Sequence, residues 1–372
     1  MTRVAIGVQR GPYDAIIESG LLERAGELLR EIVGDRLHLF IVTVPPVRRK
    51  WGKKLMKSLA AAGFKARLAE MSDGERHKRL ATVEQLAEKL MRLGADRNAV
   101  IVAFGGGVVG DVAGLLASLY MRGVDVVQIP TTVQAQLDAA IGGKTGVNLS
   151  TGKNLLGTFH QPRVVLIDPA VLSTLPDREF RAGLYEALKC GVIGKPALFD
   201  CLEKIQLKAL RGDAAAIEWV IAESVRLKAQ IVSSDERENG LRRVLNFGHT
   251  IGHALEAESD YRRFLHGEAV AWGMIAATHI AATTDRIDNG AARRIFDAVL
   301  GLGKLPKVEA RSRNIVRLLQ GDKKTRKGVV HFVLPRRIGK VEIANDVPEK
   351  IIVEAVNELR RLSRSQGNGS QL

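Results

Sequence analysis

The chain has 372 residues, 46% of them hydrophobic and 26% charged, a composition typical of globular proteins that excludes a largely disordered chain. Its 56 basic and 41 acidic residues give a net charge of +15, but only 5% of the residues are aromatic and the basic ones are scattered, which favours an anionic small-molecule substrate over nucleic acid. The two cysteines, Cys190 and Cys201, exclude a disulfide scaffold, and no apolar run reaches the roughly 18 residues of a membrane helix.

The first 170 residues alternate between strand and helix patterns. Apolar runs predict strands at Leu37–Thr43, Ala99–Phe104, Val124–Ile129 and Val164–Asp168. Helical periodicity predicts helices at Thr82–Leu93, with a capping box from Thr82 to Gln85 and an end at Gly94, and at Val112–Met121. Strands separated by helices pair in parallel, so residues 1–175 are predicted to form a doubly wound, Rossmann-like α/β domain with a ligand crevice at the carboxyl ends of its strands.

Beyond about residue 176 the pattern becomes mainly helical. Helices are predicted at Ala182–Ile193, Ala214–Val232, His249–Glu258, Glu268–Thr284 and Ala291–Leu302, and one strand at Val329–Leu334. We therefore expect a mainly α-helical domain at residues 176–362, followed by a polar, disordered tail at Ser363–Leu372. The strand-like Val4–Val8 is not the apolar core of a signal peptide, and two free thiols suit a reducing compartment, so we expect a cytoplasmic protein.

A glycine turn joins the strand at Ala99–Phe104 to the helix that follows it. Gly105, Gly107 and Gly110 match the G-x-G-x-x-G pattern, which is typical of dinucleotide phosphate sites. Any tight strand-to-helix turn can use glycine, so the match is weak by itself. Asp111 departs from a plain Rossmann site, because a carboxylate in the first helical turn would repel a pyrophosphate. We expect Asp111 to face a ribose or a nicotinamide instead.

A polar, glycine-rich run occupies residues 130–154. Its Gly-Gly-Lys-Thr sequence resembles the end of a P-loop, but Asp138 stands where that motif requires its first glycine, which excludes a Walker motif. Two interpretations stay open. Lys144 and Lys153, held by glycine turns, are suited to bind phosphate or carboxylate, or the run is a polar surface loop.

Three histidines and a glutamate indicate a metal site. His249 and His253 lie one helical turn apart, His266 follows in Leu-His-Gly-Glu, and Glu186 precedes them on another predicted helix. Donors of this kind form catalytic zinc sites, although histidines with ordinary structural roles are the alternative. Thr250 follows His249, which excludes the His-Glu-x-x-His protease motif.

Together these motifs resemble those of the 3-dehydroquinate synthase family over about residues 4–345. The segments that carry the resemblance are Gly105–Asp111, Pro130–Asn154, Gly183–Lys189, Asp235–Glu238, Leu245–His253 and His266–Glu268. The resemblance implies a homodimeric, NAD- and metal-dependent cyclase of the shikimate pathway, a carbon–oxygen lyase. Its substrate would be a small anionic phosphorylated sugar acid, 3-deoxy-arabino-heptulosonate 7-phosphate, which it would convert to 3-dehydroquinate and phosphate.

The family pattern also implies site residues. It implies that Glu186, His249 and His266 bind zinc or cobalt and that His253 shuttles a proton or contacts the phosphate. The residues implied to hold substrate are Lys144, Asn154, Lys189, Lys228, Arg242, Asn246, one of Lys323 and Lys324, and Arg122, which would reach the phosphate across the dimer interface.

The resemblance implies NAD-binding residues in five segments of the chain. They are Gly74, Glu75, Lys78, Gly106, Gly107, Asp111, Thr131, Thr132, Asp138 and Lys153. The chain departs from the family pattern at Val44-Pro45-Pro46, where a polar residue usually lies near the adenosine ribose. The loss of one cofactor hydrogen bond would cost about 0.5–1.5 kcal/mol of NAD binding.

Three alternative functions stay open beside 3-dehydroquinate synthase. Another sugar phosphate cyclase would tend to alter the positions of Asn246 and His253, and both are retained here. A metal-dependent alcohol or glycerol dehydrogenase would lack the Gly-Gly-Lys-Thr run and would release NADH. A non-enzymatic basic binding protein would not need Glu186, His249 and His266.

Overall fold

The computed structural model describes residues 1–36, 38–321 and 330–368. The strands in these residues are β1 Thr2–Ile6, β2 Tyr13–Ile17, β3 His38–Thr43, β4 Lys65–Glu70, β5 Val100–Gly105, β6 Asp125–Pro130, β7 Lys144–Leu149, β8 Gly152–Phe159, β9 Val164–Ile167, β10 Phe332–Arg337 and β11 Lys340–Ala344. The helices are α1 Ala25–Val33, α2 Pro45–Val47, α3 Lys53–Ala61, α4 Leu80–Arg92, α5 Gly107–Leu119, α6 Asp177–Gly194, α7 Pro196–Lys204, α8 Leu207–Gly212, α9 Ala214–Ser234, α10 His249–Glu258, α11 His266–Thr283, α12 Asn289–Gly301, α13 Ser312–Gly321 and α14 Glu349–Asn368.

The chain forms two compact units. The first unit consists of residues 1–176 and 213–237, and the second of residues 177–212 and the chain from residue 238 onward. In the first unit, the described strands form a sheet with the order β1-β2-β9-β6-β5-β3-β4. Strands β1 and β2 pair antiparallel at one edge, and every other neighbouring pair in this sheet is parallel.

Both faces of the sheet are covered, as expected for a doubly wound fold. Alternate residues of the central strands belong to different hydrophobic cores, because successive side chains of a strand point to opposite faces. Ile101 on β5 packs in a core with residues of α4 and α5, whereas Val102 packs in a core with residues of α1 and α3. The predicted fold class, an α/β unit with a mainly helical second part, is confirmed.

The topology defines where this sheet is suited to bind a ligand. Strand β3 continues to β4 on one side of it, and β5 continues through α5 to β6 on the other. The strand order therefore reverses between the carboxyl ends of β3, at Thr43, and β5, at Gly105. A crevice at such a switch point is the usual ligand site of open α/β sheets.

Five helices begin two to five residues before their predicted starts, namely α4, α5, α6, α11 and α12. Helix α4 begins at Leu80 with Arg79 as its N-cap residue, so the predicted capping box is absent and the Thr82 hydroxyl donates instead to the carbonyl of His77 at 2.7 Å. Helix α5 begins at Gly107, five residues before the predicted start at Val112. Asp111 consequently lies in the second turn of α5, not in the first.

Helix α9 belongs to the first unit, which differs from the contiguous division predicted at residue 175. Polar contacts explain the difference. Ser233 accepts a hydrogen bond from the backbone N–H of Gly7 at 2.8 Å, and Glu218 accepts one from that of Ser19 at 3.1 Å.

The polar run at 130–154 is not simply a surface loop, which was one of its two interpretations. Much of it forms the antiparallel hairpin of β7 and β8.

The second unit contains helices α6–α8 and α10–α14 together with the antiparallel pair β10–β11. Helix α10 has the predicted bounds, and the predicted strand at Val329–Leu334 is shifted to Phe332–Arg337, with Val329 outside the described residues. The disordered tail predicted from Ser363 differs from the structure, in which α14 continues to Asn368. The Ser363 hydroxyl is buried and accepts a hydrogen bond from Val308 N–H at 3.1 Å, which anchors this turn.

None of the described helices combines the length and the apolar character that crossing a bilayer requires.

Candidate functional site

Three imidazoles of the second unit meet at the starts of α10 and α11. Nitrogen atoms of His249, His253 and His266 all lie within 4.8 Å of one another. Glu186, on α6, extends the group: its Oε1 lies 3.6 Å from Nε2 of His266 and 3.9 Å from Nε2 of His249. Residues from three separate helices thus bring four metal-binding side chains together.

Glycines allow these helices to approach so closely. A Cβ atom added at Gly273 of α11 would lie 1.7 Å from the carbonyl oxygen of Gly248, the residue that precedes His249. One added at Gly267, directly after His266, would lie 1.8 Å from the carbonyl oxygen of Ala182 on α6. Both distances are shorter than any real Cβ contact, so the geometry of the cluster depends on glycine at both positions.

Two of the imidazoles are oriented through their other ring nitrogen. Nδ1 of His249 lies 3.2 Å from the carbonyl oxygen of Phe247, and Nδ1 of His266 lies 3.3 Å from Oε2 of Glu256. Acceptors at Nδ1 retain the proton there and leave the Nε2 lone pairs directed toward Glu186. Burial lowers the pKa of His249 well below its usual range, and the nearby positive charge of Lys189 lowers it further, so this imidazole is neutral.

The side chains present suit a divalent cation. Both carboxylate oxygens of Glu186 are buried and have no hydrogen-bond donor among the described residues. Nζ of Lys189 lies 2.5 Å from Oε2, so this ammonium group balances part of the carboxylate charge. Oε1, which faces the two imidazoles, has no donor of its own, and a buried polar atom without a partner is costly. A divalent cation between Oε1 and the imidazole nitrogens would compensate it. One carboxylate and neutral imidazoles are the donor set of catalytic zinc sites.

The first unit holds a second polar cluster, around the buried Lys78. Its Nζ contacts both Oδ2 of Asp111 on α5 and Oδ1 of Asn154 on β8. Burial raises the pKa of Asp111, and the ammonium group of Lys78 opposes this rise. Asn154 adopts a left-handed backbone conformation with φ of 55°, which is rare for residues other than glycine and is concentrated at functional sites.

Asn148, an amide of the polar run that was not among the predicted site residues, connects this cluster to the loop that contains Glu75. Its side-chain NH2 donates to Oε1 of Glu75 at 2.7 Å, and its Oδ1 accepts from Asn154 N–H at 2.9 Å. Its own backbone N–H donates to the carbonyl of Lys78 at 2.8 Å. Nζ of Lys153 lies 4.0 Å from the same Glu75 oxygen. The predicted NAD residues Glu75, Lys78, Asp111 and Lys153 are therefore close together.

The glycine turn lies at the switch point of the sheet. Gly106 is the N-cap residue of α5, a helix of 13 residues whose N-terminal N–H groups are suited to bind an anion. Thr131 and Thr132 follow β6, the next strand, and Thr131 N–H donates to the carbonyl of Gly105 at 2.9 Å. The predicted residues Gly106, Gly107, Thr131 and Thr132 thus lie at neighbouring strand ends. Gly74 precedes Glu75 with φ of 102°.

The predicted substrate residues are divided between the units. In the first unit, Nζ of the buried Lys228 donates to Oδ1 of Asp138 at 2.7 Å, whereas Lys144 and Arg122 are exposed. In the second unit, Lys189 and Arg242 are buried. The amide NH2 of Asn246 donates to Oε1 of Glu238 at 2.8 Å. Lys323 and Lys324 lie outside the described residues.

Sequence reasoning also missed Glu256, the buried acceptor for His266. A spacing of seven residues places Glu256 two helical turns after His249, on the same face of α10. This spacing was visible in the sequence, but nothing in the sequence connects Glu256 to His266.

Known proteins resemble the chain over nearly its whole length. Residues 68–182 match the family model described as 3-dehydroquinate synthase N-terminal, and residues 183–325 match the C-terminal one. The 3-dehydroquinate synthase of Koribacter versatilis is 54% identical over 363 residues, which cover 98% of this chain and 99% of that protein.

Solved structures of sugar phosphate cyclases share the fold. A 2-epi-5-epi-valiolone synthase from Streptomyces hygroscopicus with bound NAD+ and Zn2+ is 32% identical, with a TM-score of 0.85, covering 94% of this chain and 97% of that one. A 2-deoxy-scyllo-inosose synthase complexed with carbaglucose-6-phosphate, NAD+ and Co2+ is 26% identical, with a TM-score of 0.86, covering 96% of this chain and 99% of that one.

Proposed function

The chain belongs to the 3-dehydroquinate synthase family, and we propose that it converts 3-deoxy-arabino-heptulosonate 7-phosphate into 3-dehydroquinate and inorganic phosphate. The observation that carries the proposal is the buried Glu186 carboxylate, whose Oε1 has no hydrogen-bond donor among the described residues and faces Nε2 of both His249 and His266. Because phosphate leaves by cleavage of a carbon–oxygen bond in an elimination, the enzyme is a carbon–oxygen lyase.

The first unit is the NAD-binding part in this proposal. Its switch point, the N-terminus of α5 at Gly106 and the cluster of Glu75, Lys78 and Asp111 support this assignment. Further NAD residues of the proposal are Gly74, Gly107, Thr131, Thr132, Asp138 and Lys153. The side chain of Val44, directly after β3, offers no hydrogen bond to a ribose.

The second unit is the metal- and substrate-binding part. Glu186, His249 and His266 would hold one divalent ion, zinc or cobalt, through one carboxylate and two imidazole donors. When bound, NAD supplies transient oxidation of one carbinol, and the divalent ion stabilises negative charge on substrate oxygens. The ring of His253 lies 5.2 Å from that of His249 between centroids, and we assign it the movement of a proton or a contact with the phosphate.

Basic side chains bind the two anionic ends of the substrate in this proposal. Lys189, Lys228 and Arg242 are buried basic side chains of the type that binds phosphate and carboxylate groups. Lys189 also contacts Glu186, and Lys228 also contacts Asp138. Lys144 and either Lys323 or Lys324 complete the basic set. Asn154 and Asn246 hydrogen-bond substrate oxygens, and their present partners, Lys78 and Glu238, orient them.

We also propose that the chain acts as a homodimer. Leu155, Leu156 and Phe159 of β8 are 48%, 39% and 44% exposed, and Leu119 at the end of α5 is 51% exposed. Ser118 lies 2.9 Å from Thr158 between hydroxyl oxygens, which places the end of α5 beside β8. Leu156 is on the same face of β8 as Thr158, because alternate residues of a strand share a face. Exposed apolar patches of this kind mark interaction sites.

Arg122 lies three residues after Leu119, so it is close in sequence to this surface. We expect it to reach the substrate phosphate bound to the partner subunit. Sedimentation should show a dimer for the wild type and a monomer for Leu156→Glu. Ile343→Glu, at an equally exposed position of β11, is the matched control and should remain dimeric. A monomeric wild type would refute the dimer.

We further propose a cytoplasmic site of action. Cys201 is a free thiol, and burial raises its pKa, which keeps it protonated. Free thiols are typical of reducing compartments. Cell fractionation with an antibody against the chain tests this location.

The reaction is tested by measuring phosphate release from the heptulosonate phosphate with zinc and a catalytic amount of NAD. We expect phosphate in large excess over NAD and no net NADH absorbance. His266→Ala should abolish release, whereas His279→Ala, on the same helix, should not. Phosphate release from a sugar phosphate that lacks the carboxylate instead would assign a different cyclase, and NADH accumulation with a simple polyol would assign a dehydrogenase.

A further inference from the structure

The buried carboxylate of Glu256 has no role in the proposed reaction so far. It is 1% exposed and lies on α10, and its Oε2 is 3.3 Å from Nδ1 of His266 on α11. Removing a carboxylate from water costs several kcal/mol unless its surroundings compensate the charge. The contact with His266 is therefore expected to serve the imidazole as well as the fold.

The contact fixes the tautomer of His266. A carboxylate can only accept a hydrogen bond, so the ring proton must lie on Nδ1. The lone pair of Nε2 then points to Glu186, whose Oε1 is 3.6 Å away. The start of α11 is fixed as well, because Glu268 accepts a hydrogen bond from Leu265 N–H at 2.9 Å. Both the ring and the backbone of His266 are thus held in place.

The two metal-binding imidazoles differ in the charge of their acceptors. Nδ1 of His249 faces a neutral backbone carbonyl, whereas Nδ1 of His266 faces a carboxylate. A carboxylate acceptor makes the imidazole a better electron donor to a metal. It also adds negative charge near Glu186, part of whose own charge is balanced by Lys189 at 2.5 Å.

We propose that Glu256 is a positioning residue that holds His266 in its Nδ1–H tautomer and raises the affinity of the site for a divalent cation. This inference rests on the proposed metal site. It assigns Glu256 no contact with the substrate, so its effect must be visible in the absence of substrate and of turnover.

The test is competition for Zn2+ between the protein and a chromophoric chelator, with no substrate or NAD present. Glu256→Gln preserves the shape of the side chain and removes its charge, and we expect it to weaken zinc binding by about 10- to 100-fold. Glu258→Gln is the matched control: it removes a carboxylate two residues away on the same helix, which accepts from Asn314, and it should bind zinc like the wild type.

A spectroscopic readout separates positioning from a general loss of structure. The visible absorption bands of Co2+ in the site should shift for Glu256→Gln and remain unchanged for Glu258→Gln. Zinc affinity and cobalt bands of Glu256→Gln that match the wild type would overturn the inference, as would an equal loss of affinity in Glu258→Gln. Equal zinc binding by the wild type and His266→Ala would instead refute the proposed metal site itself.

Discussion

The metal cluster should depend on the absence of a side chain at Gly273. Gly273→Ala adds one carbon atom, which would lie 1.7 Å from the carbonyl oxygen of Gly248 and 2.9 Å from the backbone nitrogen of Gly252. Ordinary contact begins at 3.4 Å. All the atoms in the way belong to the backbone of α10, so no side-chain rotation can relieve the clash and α10 must move away from α11.

Overpacking in a rigid interior lowers the free energy of unfolding by about 1–3 kcal/mol. A clash of this depth with backbone atoms should reach the upper end, about 3 kcal/mol, which corresponds to a decrease of roughly 6–12 °C in the unfolding temperature of a unit of this size. The displacement has a second effect. Gly248 directly precedes His249, whose ring centroid lies 5.2 Å from that of His266, so the separation of these two imidazoles must increase.

Thermal unfolding of the metal-free protein and zinc competition together test this reasoning. Gly301→Ala is the matched control, because Gly301 also lies in a helix of the second unit but an added Cβ would meet nothing within 4 Å. That variant should retain zinc affinity and be as stable as the wild type or up to about 1 kcal/mol more stable. A Gly273→Ala protein with wild-type stability and zinc affinity would refute the argument.

Three other outcomes are expected. Lys78→Met removes the ammonium partner of the half-buried Asp111 carboxylate and should lower the free energy of unfolding by about 1.5–3 kcal/mol in urea titrations, whereas an unchanged midpoint would contradict the pairing. Ser363→Ala leaves the buried N–H of Val308 without its acceptor and should cost about 1–3 kcal/mol, and no change would favour the disordered tail. Removing metal with a chelator should abolish phosphate release and lower the unfolding temperature. Metal added back at 100 times its dissociation constant should raise the free energy of unfolding by about 2.7 kcal/mol. A protein whose activity and stability are unaffected by the chelator would exclude a structural or catalytic metal.

Elements with strong local signals could be predicted from the sequence. Helix α10 has the predicted bounds, and the core strands β5 and β6 differ from prediction by one residue at each end. Predictions were wrong where a distant contact competes with a local preference. Thr82 suits a helix cap, but its hydroxyl bonds to His77 inside the preceding turn, and the polar sequence after Ser363 remains helical because Ser363 itself is buried.

The candidate site shows the same difference between local sequence signals and distant contacts. Glu186 and the three histidines could be selected by residue type, since few side chains bind zinc. Asn148 and Glu256 could not, because their importance lies in which residue they contact. Asn148 bonds to Glu75 across 73 positions of sequence, and Glu256 reaches His266 on another helix. Such contacts are set by tertiary packing and have no local signature.

Helix α9 belongs to the first unit although it follows α6–α8 of the second unit in the chain, and this order affects folding during synthesis. Its 21 residues emerge from the ribosome only after α6, α7 and α8 of the second unit. Until then Gly7 and Ser19 lack their side-chain acceptors and Asp138 lacks Lys228. Domains generally fold in order of synthesis, but here the earlier unit cannot finish before much of the later one exists. A fragment ending at Pro176 should therefore not behave as an independent nucleotide-binding module.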